Sequence, residues 1–137
     1  MFENPRIEAC CALLKRVKTI AVVGLSPNPA RPSHGVARYL QDRGYTVIPV
    51  HPSAKAVLGQ RAYRRLADVP VPIDLVDVFR RADAIPAVVE ECLALKLKAI
   101  WIQDGIINEP AAERALAGGM TVVMDRCIYR DLLQYCS

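Results

Sequence analysis

The sequence is short of the residues that build metal and disulfide frameworks. It has two histidines, His34 and His51, and its five cysteines form no CxxC pair. An odd cysteine count with Cys10 and Cys11 adjacent fits neither a zinc site nor a disulfide scaffold. Cys10, Cys11, Cys92, Cys127 and Cys136 are therefore expected to be mostly small buried hydrophobes in a reducing cytosol. No apolar run approaches the ~20 residues of a membrane span, and the Met-Phe-Glu-Asn-Pro start is no signal peptide. The expected location is cytoplasmic, with no membrane partner. Repeats and low-complexity linkers are absent. The basic excess is small, a formal +4. That suits an anionic small molecule better than a nucleic acid, which calls for a denser basic face; simple surface solubility is the alternative.

What is present is a regular alternation. With 137 residues, the chain fits one domain able to bury a core of its own, residues 1–137, with 1–17 as an amino-terminal helix packed on it. Residues 5–16 carry Ile7, Cys10, Cys11 and Leu14 at helical spacing. Thr19–Val23 is a β-branched run, the mark of a strand buried on both faces. Further strands are expected at Tyr45–Val50, Ile73–Val78, Ala99–Ile102 and Met120–Met124, with a short edge segment near Ala62. Helices are expected between them, capped by Ser33, Asp83 and Asn108. Their inner faces are Val36, Tyr39 and Leu40; then Ile85, Val88, Val89, Cys92 and Leu95; then Ala112, Ala115 and Leu116. Tyr129, Leu132, Leu133 and Cys136 form a last amphipathic helix. Five successive βα units imply an α/β, Rossmann-like, doubly wound parallel sheet of about five strands, order 3-2-1-4-5, with helices on both faces.

Such sheets bind ligands at the carboxyl ends of their strands. After the first strand comes Gly24-Leu25-Ser26-Pro27-Asn28-Pro29-Ala30-Arg31-Pro32-Ser33. Gly24 lets backbone approach a phosphate, Ser26 and Ser33 supply hydroxyls, and Arg31 supplies a planar cation beside a helix amino end. After the second strand, Lys55 offers a point charge and His51 is better read as a structural turn residue. After the third, Val78 and Phe79 offer an apolar wall and Arg80 a cation; core packing is the alternative for Phe79. After the fourth, Gln103 and Gly105 offer an amide and bare backbone. GxGxxG is missing, and the second strand ends Val50-His51-Pro52 with no acid for a ribose diol. Both disfavour an NAD-dependent oxidoreductase, although Lys55 or Arg61 leaves NADP open. No catalytic or metal-ligating residues are expected: a Ser26-His51-Asp74 triad lacks a nucleophile elbow.

The stretches SPNPARPS, YTVIPVHP, VDVFRR and VVMDRC together resemble the CoA-binding domain family, especially small stand-alone bacterial proteins of the YccU type. Their fold is similar to the amino-terminal domain of the succinyl-CoA synthetase alpha subunit. The resemblance runs from about Lys18 to Cys127. It implies a non-catalytic protein binding coenzyme A or acyl-CoA through Gly24, Ser26, Pro27, Arg31, Ser33, Pro52, Lys55, Val78, Phe79, Arg80, Gln103 and Gly105. Two residues depart from the pattern: His51 stands where similar proteins usually have Asn, and Asp104 where many have an apolar residue. An inward Asp104 would repel a diphosphate, which keeps open an interaction module that has lost its ligand. A protein partner or homodimer is compatible with the pattern. Cys127, following the last strand, is a candidate for a mixed disulfide with the ligand's thiol.

Overall fold

Strands of four or five mostly apolar residues, nearly all of them buried, make the central sheet. A computed structural model describes residues 1–136. Its elements are α1 (Ile7–Arg16), β1 (Thr19–Val23), α2 (Pro32–Asp42), β2 (Thr46–Val50), a small hairpin of β3 (Ala56–Val57) and β4 (Gln60–Arg61), β5 (Leu75–Val78), α3 (Ile85–Ala94), β6 (Ala99–Ile102), α4 (Glu109–Ala117), β7 (Thr121–Met124) and α5 (Ile128–Gln134). The sheet order is β2-β1-β5-β6-β7, with every pairing parallel.

The α/β, Rossmann-like class is as expected, but the strand order needs a correction. The strand ending at Val78, expected outside the second, is β5 and pairs with β1 from Ile20–Leu75 to Val23–Val78. The chain after β2 fills the outer slot itself. It folds back through the β3–β4 hairpin and meets β2 in one parallel bridge, Val50–Tyr63. The next strand therefore starts on the other side of β1. The crevice between the ends of β1 and β5 is where the connections diverge, the usual ligand position.

Side chains alternate between two cores, as the pleat requires. Ala21, Val23, Ile100 and Ile102 face α3 and α4; Ile20, Val22, Ala99 and Trp101 face α1, α2 and α5. Trp101 is fully buried and its indole N–H donates to the Arg126 carbonyl at 2.8 Å. Several helix details differ from expectation. Asn108 does cap α4, its Oδ1 accepting the Ala111 N–H at 3.1 Å. Ser33 does not cap α2, because Pro32 already begins that helix and Arg31 holds the cap position. Asp83 sits in a 3-10 turn before α3 and pairs instead with Arg81 at 3.4 Å. Leu95, Leu116, Tyr129 and Leu133 are exposed. Each lies near a helix end or on a shallow amphipathic face, where one residue of phase error turns a side chain outward. No helix among the described residues is long and apolar enough to cross a membrane.

Cysteine usage also needs correction. Cys10, Cys92 and Cys127 are free and buried, but Cys11 and Cys136 form a disulfide with their Cα atoms 5.1 Å apart. Helices α1 and α5 lie on the same face of the sheet and bring residues 125 apart in sequence together. A single long-range bridge leaves no spacing signature.

Asp77 is the anomaly of the core. It sits in β5 between Val22 and Trp101, with no exposure and no hydrogen-bond partner among the described residues. Burial pushes its carboxyl well above the usual range. The native protein therefore holds a proton that the unfolded chain releases once pH exceeds the ordinary carboxylate value. Stability is greatest below that value and falls as pH rises toward the raised one, at about 1.4 kcal/mol per pH unit for one proton. Asp77→Asn removes this titration. In urea unfolding at a series of pH values rising from the ordinary carboxylate value, the stability of the variant relative to the parent should rise with pH. A pH-independent difference would contradict the assignment.

Candidate functional site

At the carboxyl ends of β1 and β5 lies a cavity of about 330 Å3. Gly24 makes it possible. Its φ is +85°, its N–H donates to the Val50 carbonyl at 2.9 Å, and a Cβ on it would stand 2.3 Å from the Phe79 carbonyl oxygen. Two strand ends approach so closely that only glycine fits between them.

The loop from Gly24 to α2 is tied internally. Ser33 Oγ accepts the Ser26 N–H, Ser26 Oγ accepts the Asn28 N–H, and Asn28 Oδ1 accepts the Ala30 N–H, each at 3.0 Å. The Asn28 carbonyl accepts the Arg31 N–H at 3.0 Å. Both serine oxygens thus act as acceptors inside the loop, which leaves each hydroxyl proton free to donate to a ligand. Pro32 occupies the first position of α2, where a missing N–H costs nothing, and the helix directs its positive end at the cavity.

Charge completes the cradle. Arg31, Arg80 and Arg81 line it, and among the described residues no carboxylate, histidine or cysteine does. Arg81 is partly spent on Asp83, while Arg31 and Arg80 form no ion pair among the described residues. Phe79 and Ile106 add an apolar wall. Free guanidinium groups, hydroxyl donors and a helix amino end around bare backbone form a receptor for a phosphate ester with an apolar neighbour.

Comparison with known proteins agrees with this chemistry. Residues 18–132 match the family model described as a CoA binding domain. The chain belongs to the CoA-binding domain family. It is 44% identical over 126 residues to the uncharacterized protein YneT of Bacillus subtilis, covering 92% of this chain and 93% of that one. It is 31% identical over 121 residues to the ADP-forming acetate–CoA ligase I of Archaeoglobus fulgidus, covering 81% of this chain but only 18% of the enzyme. Among solved structures, a hypothetical protein from Pyrococcus horikoshii superimposes with a TM-score of 0.92 at 32% identity over the whole of both chains.

In this CoA-binding domain the structure brings six of the expected residues to one cavity: Gly24, Ser26, Arg31, Ser33, Phe79 and Arg80. The other six lie elsewhere. Pro27 is on the exposed outside of the loop, and Pro52 and Lys55 are exposed on the turn after β2. Val78 has no exposure; it faces the α3–α4 core because the pleat alternates it with Phe79. Gln103 is 2% exposed and turned inward, its Oε1 accepting the Ile128 N–H at 3.4 Å at the start of α5. The Gly105 N–H is already taken by Asp125 Oδ1 at 2.8 Å, with Asp125 itself at φ +59°.

Residues that raised questions receive structural roles in the CoA-binding domain. His51 Nδ1 accepts the N–H groups of Ser53 and Ala54 at 3.1 and 2.9 Å, so it shapes the turn. Asp74 Oδ2 accepts the Lys18 and Thr19 N–H groups at 3.0 and 2.9 Å, tying β5 to the start of β1 at the far end from any triad with Ser26. Asp104 pairs with Arg130 of α5 at 3.5 Å and does not line the cavity. Cys127 is buried away from it. Pro32, Arg81 and Ile106 are additions to the expected set. The doubled arginine of VDVFRR held the signal for Arg81; Ile106 lies beyond a glycine turn whose direction no local pattern gives.

Proposed function

We propose that this CoA-binding domain takes coenzyme A or acyl-CoA at the carboxyl ends of β1 and β5 and acts as a carrier or sensor without catalysing a reaction by itself. The observation that carries the reading is the pair of unpaired guanidinium groups, Arg31 and Arg80, beside the Ser26 and Ser33 hydroxyls in a chain whose family is named for this ligand. The diphosphate fits that charge. Phe79 offers the adenosine an apolar surface, and Lys55 stands on the next turn as an outer cation for the ribose phosphate. The lack of any carboxylate, histidine or cysteine in the lining supports a binding rather than a catalytic role, since neither a general base nor a nucleophilic thiol faces the ligand. The ligase relative, which carries a matching segment within a much longer chain, supports a module that works beside other domains.

Calorimetric titration with CoA, acetyl-CoA, NAD and NADP tests this. CoA and acetyl-CoA should bind at one site per chain and NAD should give no heat. Acetyl-CoA recovered after incubation should keep its thioester. No heat with either CoA species, or stronger binding of NADP, would refute the reading.

A further inference from the structure

A second groove, of about 740 Å3, lies at the opposite end of the sheet, where β1 and β2 begin. Its floor is apolar: Ile7 and Ala12 of α1 reach the groove surface above Leu14 of α1 and Leu132 of α5, which are buried beneath them. Lys15, Lys18 and Arg43 stand around it against, among the described residues, a single carboxylate, Glu8, which leans toward Arg6 at 3.9 Å. None of the three cations forms an ion pair among the described residues. The carboxy-terminal wall, Tyr135 and Cys136, is held by the disulfide to Cys11 and by the Arg43 guanidinium, which donates to the Cys136 carbonyl at 3.4 Å.

We propose that this groove binds a small amphipathic anion, with the apolar body on Ile7, Ala12 and the Tyr135 ring and one carboxylate or sulfonate at the Lys15–Lys18–Arg43 rim. The inference is independent of the CoA reading, since the groove shares no residue with the cradle. Its volume falls in the range of small-molecule sites, about 300–1,000 Å3. The unpaired cations select the sign of the charge. The apolar floor selects against inorganic phosphate, which would leave that surface wet and gain only rim contacts. The disulfide belongs to the site because it fixes one wall. Both of its cysteines are partly exposed, so a thiol reductant can reach it, and reduction would free that wall from α1.

The test uses the full chain with the disulfide intact. Anilinonaphthalene sulfonate is titrated by fluorescence in excess CoA, with decanoate as competitor. One saturable site should appear, persist in CoA and be emptied by decanoate. Lys15→Glu/Lys18→Glu should weaken it about tenfold, the scale expected from reversing two partly screened contacts. Both lysines are exposed, and an unchanged circular dichroism spectrum shows that the fold is kept. Cys136→Ser should weaken the probe in the same direction. Absence of a saturable site, displacement of the probe by CoA, or an unaltered affinity in the double reversal would overturn the proposal. An unaltered affinity in Cys136→Ser would remove the disulfide from it.

Discussion

Arg31→Ala and Arg80→Ala should each lower the affinity for CoA by about ten- to a hundredfold, and the double variant by more. A hydrogen bond to a charged group contributes about 1.5–3 kcal/mol, and a factor of ten in affinity is about 1.4 kcal/mol. These two guanidinium groups suit that loss because no carboxylate among the described residues holds them in place. Removing them leaves no buried carboxylate stranded, so the melting temperature should barely move. Arg31→Lys separates charge from shape. It keeps the cation but loses the planar fork that grips two phosphate oxygens, and so should fall between parent and alanine. Arg81→Ala should cost less, because Asp83 already shares that side chain. Titration calorimetry at fixed salt reads all five variants. Affinities for both single alanine variants within about twofold of the parent, well under 1 kcal/mol, would remove the diphosphate from this cradle.

The sequence reveals the sheet and the first-turn cradle because both are written locally. Thr19–Val23 and Ala99–Ile102 are aliphatic runs, and the glycine, serines and arginine of the first turn sit consecutively behind a strand. What fails is whatever depends on a second segment. Val78 and Phe79 are neighbours in sequence but face opposite cores, and only the pairing of β5 with β1 decides which one meets the cavity. Gly105 looks like bare backbone for a ligand, yet its N–H belongs to Asp125, twenty residues later. Asp104 looks like a repulsive charge until α5 brings Arg130 to it. The Cys11–Cys136 bridge and the placement of β5 beside β1 have the same origin: long-range geometry without a short-range pattern.

Gly24→Ala should be the most damaging small substitution in the molecule, whereas Gly35→Ala, eleven residues on, should be stabilising. At Gly24 two costs add. A side chain at φ +85° costs about 1–2 kcal/mol, and forcing a methyl group into a filled space about 1–3 kcal/mol. The obstacle is the Phe79 carbonyl at 2.3 Å, a backbone atom held by the β1–β5 ladder, so it cannot turn aside as a side chain would. A loss of about 3 kcal/mol, on the order of 10 °C in melting temperature, is the expected result. At Gly35, inside α2, an added Cβ meets nothing within 4 Å and the backbone is already helical, so alanine should add about 0.5–1 kcal/mol. The pair separates glycine as a spacer from glycine as a weak helix residue. Thermal unfolding of both variants checks it, and a Gly24→Ala protein as stable as the parent would mean that the strand ends are not held as closely as described. Ligand binding should follow the same division. Whatever relieves the clash at Gly24 must part the ends of β1 and β5 and shift Phe79 and Arg80, so the surviving folded Gly24→Ala protein should bind CoA more weakly than its stability loss alone explains. Gly35→Ala, outside the cavity lining, should bind as the parent does.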